Sequence, residues 1–151
     1  MRRLALAAGA AVAFFFSPDS AAAQDFRATI TRQLEAAAGQ ASTGGFRIDT
    51  NVIDRQMVIG ALPDEGSVYL ELNLTGGVEY FIAAGCDEDC TDLDTRLYPA
   101  GENTAIDEDI EDDDVPMLAF TAPRTGRYLL QVSMADCDES ICYFGYQVYR
   151  K

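Results

Sequence analysis

Two periodicities divide the chain. Between Asp25 and Gln40 the apolar positions Phe26, Ile30, Leu34 and Ala37/Ala38 recur at helical spacing, which predicts one amphipathic helix with Asp25 as its cap and Gly39 and Gly44-Gly45 closing it. After Gly45 the period drops to two, with β-branched, aromatic and aliphatic residues alternating with polar ones between glycine, proline and aspartate breaks. Phe46–Val52 and Gln56–Ala61 read as strands, and the latter runs into the turn Leu62-Pro63-Asp64-Glu65-Gly66. Ser67–Leu74 alternates most clearly, with Val68, Leu70, Leu72 and Leu74 on one face and Tyr69, Glu71 and Asn73 on the other. Val78–Ala84 follows the turn at Thr75-Gly76-Gly77. Thr95–Tyr98 and Thr104–Asp107 flank Pro99-Ala100-Gly101-Glu102 as a hairpin, and Met117–Thr121, Arg127–Met134 and Cys142–Tyr149 complete the set. About eight short strands behind a single helix predict a mainly β protein, an antiparallel jelly-roll-like β-sandwich rather than alternating βα units.

The first residues follow neither pattern. A basic start at Arg2 and Arg3, an apolar run from Leu4 to Phe16 and the small residues Ala21-Ala22-Ala23 read as a secretory signal peptide over residues 1–23. The run is shorter than the roughly 20 residues a membrane-spanning helix needs, and no later run reaches that length. The expected organisation is therefore a signal peptide at 1–23, a helix and linker at 24–44 and a β-sandwich domain at 45–151. That mature chain would be periplasmic or secreted, with no transmembrane segment.

Charge and cysteine content narrow the picture. The formal charge is −14, and loss of Arg2, Arg3 and Asp19 with the leader makes it about −15. Such a chain repels phosphate backbones and anionic lipid, so nucleic acid is not an expected partner. Cys86/Cys90 and Cys137/Cys142 suit disulfides in an oxidising compartment. Of the three connectivities the two local pairs are preferred, each clipping a small loop with about 2 kcal/mol of chain-entropy stabilisation. Pairing between the loops stays open if the fold sets them side by side. The four-residue step of Cys86-Asp87-Glu88-Asp89-Cys90 is neither a zinc knuckle nor a thioredoxin-like motif.

Histidine is absent and lysine occurs only at Lys151, which removes the usual general base, the usual transition-metal ligand and Ser-His-Asp, Cys-His and Schiff-base arrangements. Carboxylates remain. Asp87, Glu88, Asp89, Asp92 and Asp94 precede the expected hairpin, and Asp107, Glu108, Asp109, Glu111, Asp112, Asp113 and Asp114 follow it. A turn centred near Gly101 would set Asp94 opposite Glu108 and Asp92 opposite Ile110. Each like-charge pair at about 4 Å repels by about 1 kcal/mol even in bulk water. A hard cation would relieve that crowding, and calcium accepts six to eight oxygen ligands in flexible geometry. The candidate metal ligands are Asp92, Asp94, Asp107, Asp109, Asp112, Asp113 and Asp114, although the spacing is not that of an EF-hand. Solvated, outward-facing acids are the alternative. Near the C-terminus, alternation places Phe144, Tyr146 and Val148 on one face and Tyr143 and Tyr149 on the other; core packing is the expectation for most of them, with an exposed aromatic platform for a glycan or peptide as the alternative.

Taken together, Gly85-Cys86-Asp87-Glu88-Asp89-Cys90-Thr91-Asp92-Leu93-Asp94, Leu97-Tyr98, Gly101, Asp107, Asp112-Asp113-Asp114-Val115-Pro116, Phe120-Thr121-Ala122-Pro123 and Gly126-Arg127-Tyr128 resemble the bacterial pre-peptidase C-terminal domain. The resemblance covers about residues 66–149 and leaves the helix outside, and the cysteine loops are additions to the general pattern. It implies a jelly-roll-like sandwich that accompanies secreted peptidases without being catalytic. Some relatives bind calcium or extracellular polymers such as collagen, which implies calcium at Asp92, Asp94, Asp107 and Asp112 to Asp114.

The expected function is an exported, non-catalytic binding or accessory module, calcium-stabilised, for a protein, polysaccharide or other extracellular polymer. The alternatives are a small carboxylate-only glycoside hydrolase and an envelope-complex subunit that docks through its N-terminal helix.

Overall fold

The computed structural model describes residues 19–53 and 56–151, with side chains from Phe26 onward. The leader reading falls mostly on residues 1–18, outside the described residues. Among the described residues one helix precedes nine strands in two antiparallel sheets. Helix α1 spans Asp19–Thr43. It begins six residues before the expected cap, so Asp25 lies inside it. Ala21-Ala22-Ala23 explain the extension, since alanine is the strongest helix former. Gly39 is carried within the helix, and the stop falls at Gly45, whose φ of 84° suits the left-handed position. There the Gly45 amide donates to the Ser42 carbonyl and the Phe46 amide to the Ala41 carbonyl, the paired bonds of a Schellman terminus.

The first sheet contains β1 (Arg47–Ile48), β2 (Val58–Leu62), β4 (Glu79–Cys86), β7 (Met117–Thr121) and β9 (Cys142–Arg150). Its order is β1-β9-β4-β7, with β2 also paired to β9. The second contains β3 (Ser67–Leu74), β5 (Cys90–Pro99), β6 (Asp107–Asp109) and β8 (Gly126–Cys137), in the order β3-β8-β5-β6. Between the sheets lie Leu72, Tyr80, Ile82, Leu93, Leu97, Leu118, Tyr128, Leu130, Val132, Phe144, Tyr146 and Val148, all buried. The buried Tyr128 hydroxyl donates to the Arg124 carbonyl at 2.7 Å, so this core ring keeps its polar end bonded.

The helix adds a third layer. Ile30, Leu34 and Ala37 pack with Ala83 on the outer face of the first sheet, joined by Phe26, Met57, Phe81 and Met117. This is why β4 reads almost continuously apolar: Tyr80, Ile82, Ala84 and Cys86 face the inter-sheet core, while Ala83 and Gly85 lie under the helix. Gly85 and Gly145 are cross-strand partners, and a Cβ at either would stand 2.5 Å from Gln33 Oε1 or 2.6 Å from Ile30 Cγ2, respectively. Two missing side chains thus form the seat of the helix. The apolar stripe, which only the alternative reading docks on another protein, is occupied by the chain's own sheet.

Two sequence expectations shift. Phe46–Val52 contributes only the two residues of β1. In the hairpin, Arg96 rather than Asp94 stands opposite Glu108, and Thr95 stands opposite Asp109. The turn itself forms, with the Glu102 amide on the Pro99 carbonyl, but the connection continues to an Ile106 amide on Leu97, which moves the register by two residues. Arg96 then bonds Asp94 at 3.4 Å and Glu108 at 3.3 Å, so the crossing is an ion-paired row and not a line of facing carboxylates.

Candidate functional site

The acidic residues fall into two groups. On β6, Asp107 and Asp109 turn toward the edge of the other sheet. Asp109 Oδ2 accepts from the Met117 amide at 2.8 Å and Asp107 Oδ2 from the Ala119 amide at 2.9 Å. Met117 and Ala119 lie on edge strand β7, so two carboxylates of the second sheet satisfy outward amides of the first and close the sandwich on that side. Asp109 Oδ1 also accepts from the Glu111 amide at 3.3 Å. Asp114 belongs to a third element's contacts: its Oδ2 accepts from Gln33 Nε2 at 2.7 Å and ties the acidic turn to the helix.

The second group surrounds Asp92. A β-bulge at Cys90/Asp92/Leu93 interrupts the pairing of β5 with β8, and the Leu93 amide bonds instead to the Asp113 carbonyl at 2.9 Å. That bond holds the 111–114 turn beside Asp92. Burial pushes the Asp92 carboxyl above the ordinary aspartate range, and the charges of Asp94, Asp112, Asp113 and Asp136 push it further. Its Oδ1 is buried without a hydrogen-bond partner among the described residues. Of the seven expected metal ligands, Asp92, Asp94, Asp112 and Asp113 therefore share one neighbourhood, which Asp136 joins from β8. Asp107, Asp109 and Asp114 have backbone or side-chain partners of their own, as do Asp94, paired with Arg96, and Asp113, whose Oδ1 accepts from the Val115 amide at 2.9 Å. Among the described residues no three acidic or cysteine side chains converge on one point as they stand.

At the cysteine-bearing end the bonds are Cys86–Cys90 and Cys137–Cys142, the local pairs preferred from the sequence. Each joins a strand of one sheet to a strand of the other, β4 to β5 and β8 to β9, so both disulfides tie the two layers at the same end. Backbone bonds interlock the loops: the Asp87 amide donates to the Tyr143 carbonyl, the Tyr143 amide donates to Asp87 Oδ2 at 2.9 Å, and the Asp138 amide donates to the Asp89 carbonyl. Asp87 is 4% exposed. Burial pushes its carboxyl upward, Asp89 and Glu88 add to this, and the Tyr143 amide opposes them.

Phe144, Tyr146 and Tyr149 pack into the core as expected, and the alternative of an aromatic platform at Tyr143 and Tyr149 does not form. Tyr149 is buried edge-on to Phe81, and Tyr143 stacks on Phe26 of the helix with centroids 4.0 Å apart. An aromatic pair with one exposed and one half-buried ring lies on the outer face of the second sheet, where Tyr69 is 58% exposed and its ring is 6.3 Å from that of Tyr98. Both tyrosines occupy outward positions of alternating strands, a signal present in the sequence, but their adjacency depends on β3 and β5 flanking the same strand β8.

No protein-family model matches the chain, and no curated protein matches it in sequence. Solved structures match it in fold. The pre-peptidase C-terminal domain of a collagenase from Bacillus anthracis has a TM-score of 0.51 at 14% identity, over 61% of this chain and 86% of that one. PliG of Aeromonas hydrophila, a periplasmic inhibitor of g-type lysozyme, gives 0.49 at 15% identity over 63% of this chain and 84% of its own. PliG of Salmonella Typhimurium gives 0.44 at 14% identity over 63% and 89%. The chain thus has a β-sandwich fold similar to that of a pre-peptidase C-terminal domain, the family its residue pattern resembles.

Proposed function

We propose that the chain is an exported, non-catalytic binding module that recognises a protein or an extracellular polymer. The observation that carries this reading is the engagement of the chemistry-bearing side chains in holding the sandwich together. Asp107 and Asp109 cap the amides of β7, Asp87 links the two cysteine loops, and the cysteines join the sheets. With histidine absent from the sequence, a nucleophile-base pair has no base of the usual kind. Export is supported by the leader-like residues 1–23 and by two disulfides in a small domain. Among the described residues no helix is long and apolar enough to cross a membrane.

Calcium at the Asp92 neighbourhood is a second reading, favoured by one observation: an unpartnered carboxylate oxygen of Asp92 amid the charges of Asp94, Asp112, Asp113 and Asp136. A cation there would fasten the 111–114 turn to β5 and would stabilise the folded state by mass action.

The binding function is tested by immobilising the purified protein and challenging it with envelope and culture-medium fractions, with and without calcium. Saturable capture of a protein or polymer supports it. Chemical turnover of a captured polysaccharide would replace it with the hydrolase alternative.

A further inference from the structure

The outer face of the second sheet carries an exposed tyrosine beside a half-buried one. Tyr69 on β3 is the cross-strand partner of Gln131 on β8, which in turn partners Arg96 on β5. Two residues along, Glu71, Leu129 and Tyr98 form the next row. The tyrosines therefore lie diagonally across Leu129, their rings inclined at 57°. The Tyr98 hydroxyl is 3.3 Å from Gln131 Oε1, a contact that fixes this half-buried ring at the centre of the face. A groove of about 440 Å³ runs over Tyr69, Tyr98, Glu102, Asn103 and Leu129. A second, of about 520 Å³, lies on the other side and shares Tyr98 and Asn103 with the first. Together they make an elongated track with Tyr98 between its halves.

Charge separates the occupants that could fill it. The sequence carries −14 overall, yet the arginines bordering this track are matched by carboxylates. Arg96 meets Asp94 and Glu108, Arg124 meets Glu102 at 2.7 Å, and Arg127 meets Glu71 at 3.4 Å. Three arginines face four carboxylates there and Asp107 lines the second groove, so the track presents paired donors and acceptors with a small negative surplus. An anionic ligand would meet the repulsion of the whole molecule, and a cationic one would compete with arginines already seated on those carboxylates. A neutral chain with apolar ring faces and many hydroxyls meets neither obstacle. Tyrosine suits such a ligand, because it offers a rigid flat area at small cost in side-chain entropy and a hydroxyl at its rim.

We propose that the Tyr69–Tyr98 face binds a neutral oligosaccharide, with sugar rings stacked on the two tyrosines and hydroxyls bonded by Asn103, Glu102 and the arginine–carboxylate pairs. This assignment rests on the binding-module reading and names its ligand class. The track extends to both sides of Tyr98, so it takes several sugar units in line rather than one.

The test titrates the purified protein with cellohexaose, xylohexaose and chitohexaose, using hexagalacturonate as the anionic control. Tyrosine fluorescence is a usable signal because the chain has no tryptophan. Saturable binding of at least one neutral hexasaccharide is expected, with affinity reduced at least about tenfold in Tyr69→Ala and unchanged in Tyr143→Ala. Tyr69 is exposed, so its truncation leaves the fold intact, and circular dichroism of the variant verifies this. Failure of all three neutral sugars to bind, tighter binding of hexagalacturonate, or wild-type affinity in Tyr69→Ala would each overturn the assignment. Undiminished capture of a protein partner by Tyr69→Ala, without sugar binding, would overturn it while leaving the broader binding function standing.

Discussion

Replacing Asp109 separates a structural carboxylate from a metal ligand. In Asp109→Ala the Met117 amide loses its acceptor at 2.8 Å and the Glu111 amide one at 3.3 Å, while the neighbouring Asp107 to Ala119 bond remains. A hydrogen bond to a charged group contributes about 1.5–3 kcal/mol to stability. Asp109 is half-buried and the second contact is long, so the expected loss is about 2 kcal/mol, toward the lower part of that range. For a domain of this size it corresponds to a fall of about 8 °C in melting temperature. Asp109→Asn keeps an oxygen acceptor without its charge, and neutral bonds are roughly half as strong, so its loss is about 1 kcal/mol. The assay is urea unfolding followed by tyrosine fluorescence and far-ultraviolet circular dichroism, in millimolar calcium and in chelator. The same order, wild type above Asn above Ala, with equal spacing in both buffers, is expected. A loss confined to the calcium buffer would refute the reasoning and make Asp109 a cation ligand. A loss below about 0.5 kcal/mol in both buffers would mean that the amides of β7 do not depend on it.

Other outcomes follow from the same contacts. Leu34→Ala removes a side chain 1% exposed between the helix and the first sheet; a loss of about 2–5 kcal/mol in urea unfolding is expected, and a loss under about 1 kcal/mol would show that the helix is not part of the folded unit. Burial raises the Asp87 carboxyl from the ordinary 3.8, so the folded state holds that proton more tightly than the unfolded one. The contribution is therefore most favourable below 3.8 and is lost as pH rises through the raised value. Asp87→Asn should accordingly gain stability relative to wild type between pH 4 and pH 7, and a difference that is constant or falls with pH would contradict the burial argument. If calcium seats at Asp92, millimolar calcium raises the melting temperature above its value in chelator, and Asp92→Asn combined with Asp94→Asn abolishes the difference; equal melting temperatures for wild type in the two buffers would exclude that site.

Much of the fold was legible because alternation is a local signal. Ser67–Leu74 and Met117–Thr121 appear as strands with the bounds expected, and Cys142–Tyr149 is one residue short of β9. The helical stripe was equally plain, and Ile30, Leu34 and Ala37 are its buried face. What occupied that stripe was not legible, because the seat consists of two glycines, Gly85 and Gly145, distant in sequence and opposed only by the pairing of β4 with β9. The local disulfides followed from loop length, whereas their joint role in tying two sheets needed the topology. For the acidic residues, spacing located the cluster but not the direction of each side chain. A two-residue change of hairpin register put Arg96 between Asp94 and Glu108, and the bulge at Asp92 fixed the 111–114 turn through Leu93, neither of which composition encodes. The tyrosine face escaped for a similar reason: Tyr69 and Tyr98 become neighbours only when strand β8 inserts between β3 and β5.

The central claim is that this sandwich binds without transforming what it binds. Its most direct test is to incubate the purified protein with neutral polysaccharides and with envelope fractions, then assay both retention and product release. Saturable retention with the bound material recovered chemically unchanged is the predicted result. Release of shortened chains or new reducing ends, or retention of nothing at all, would contradict the claim.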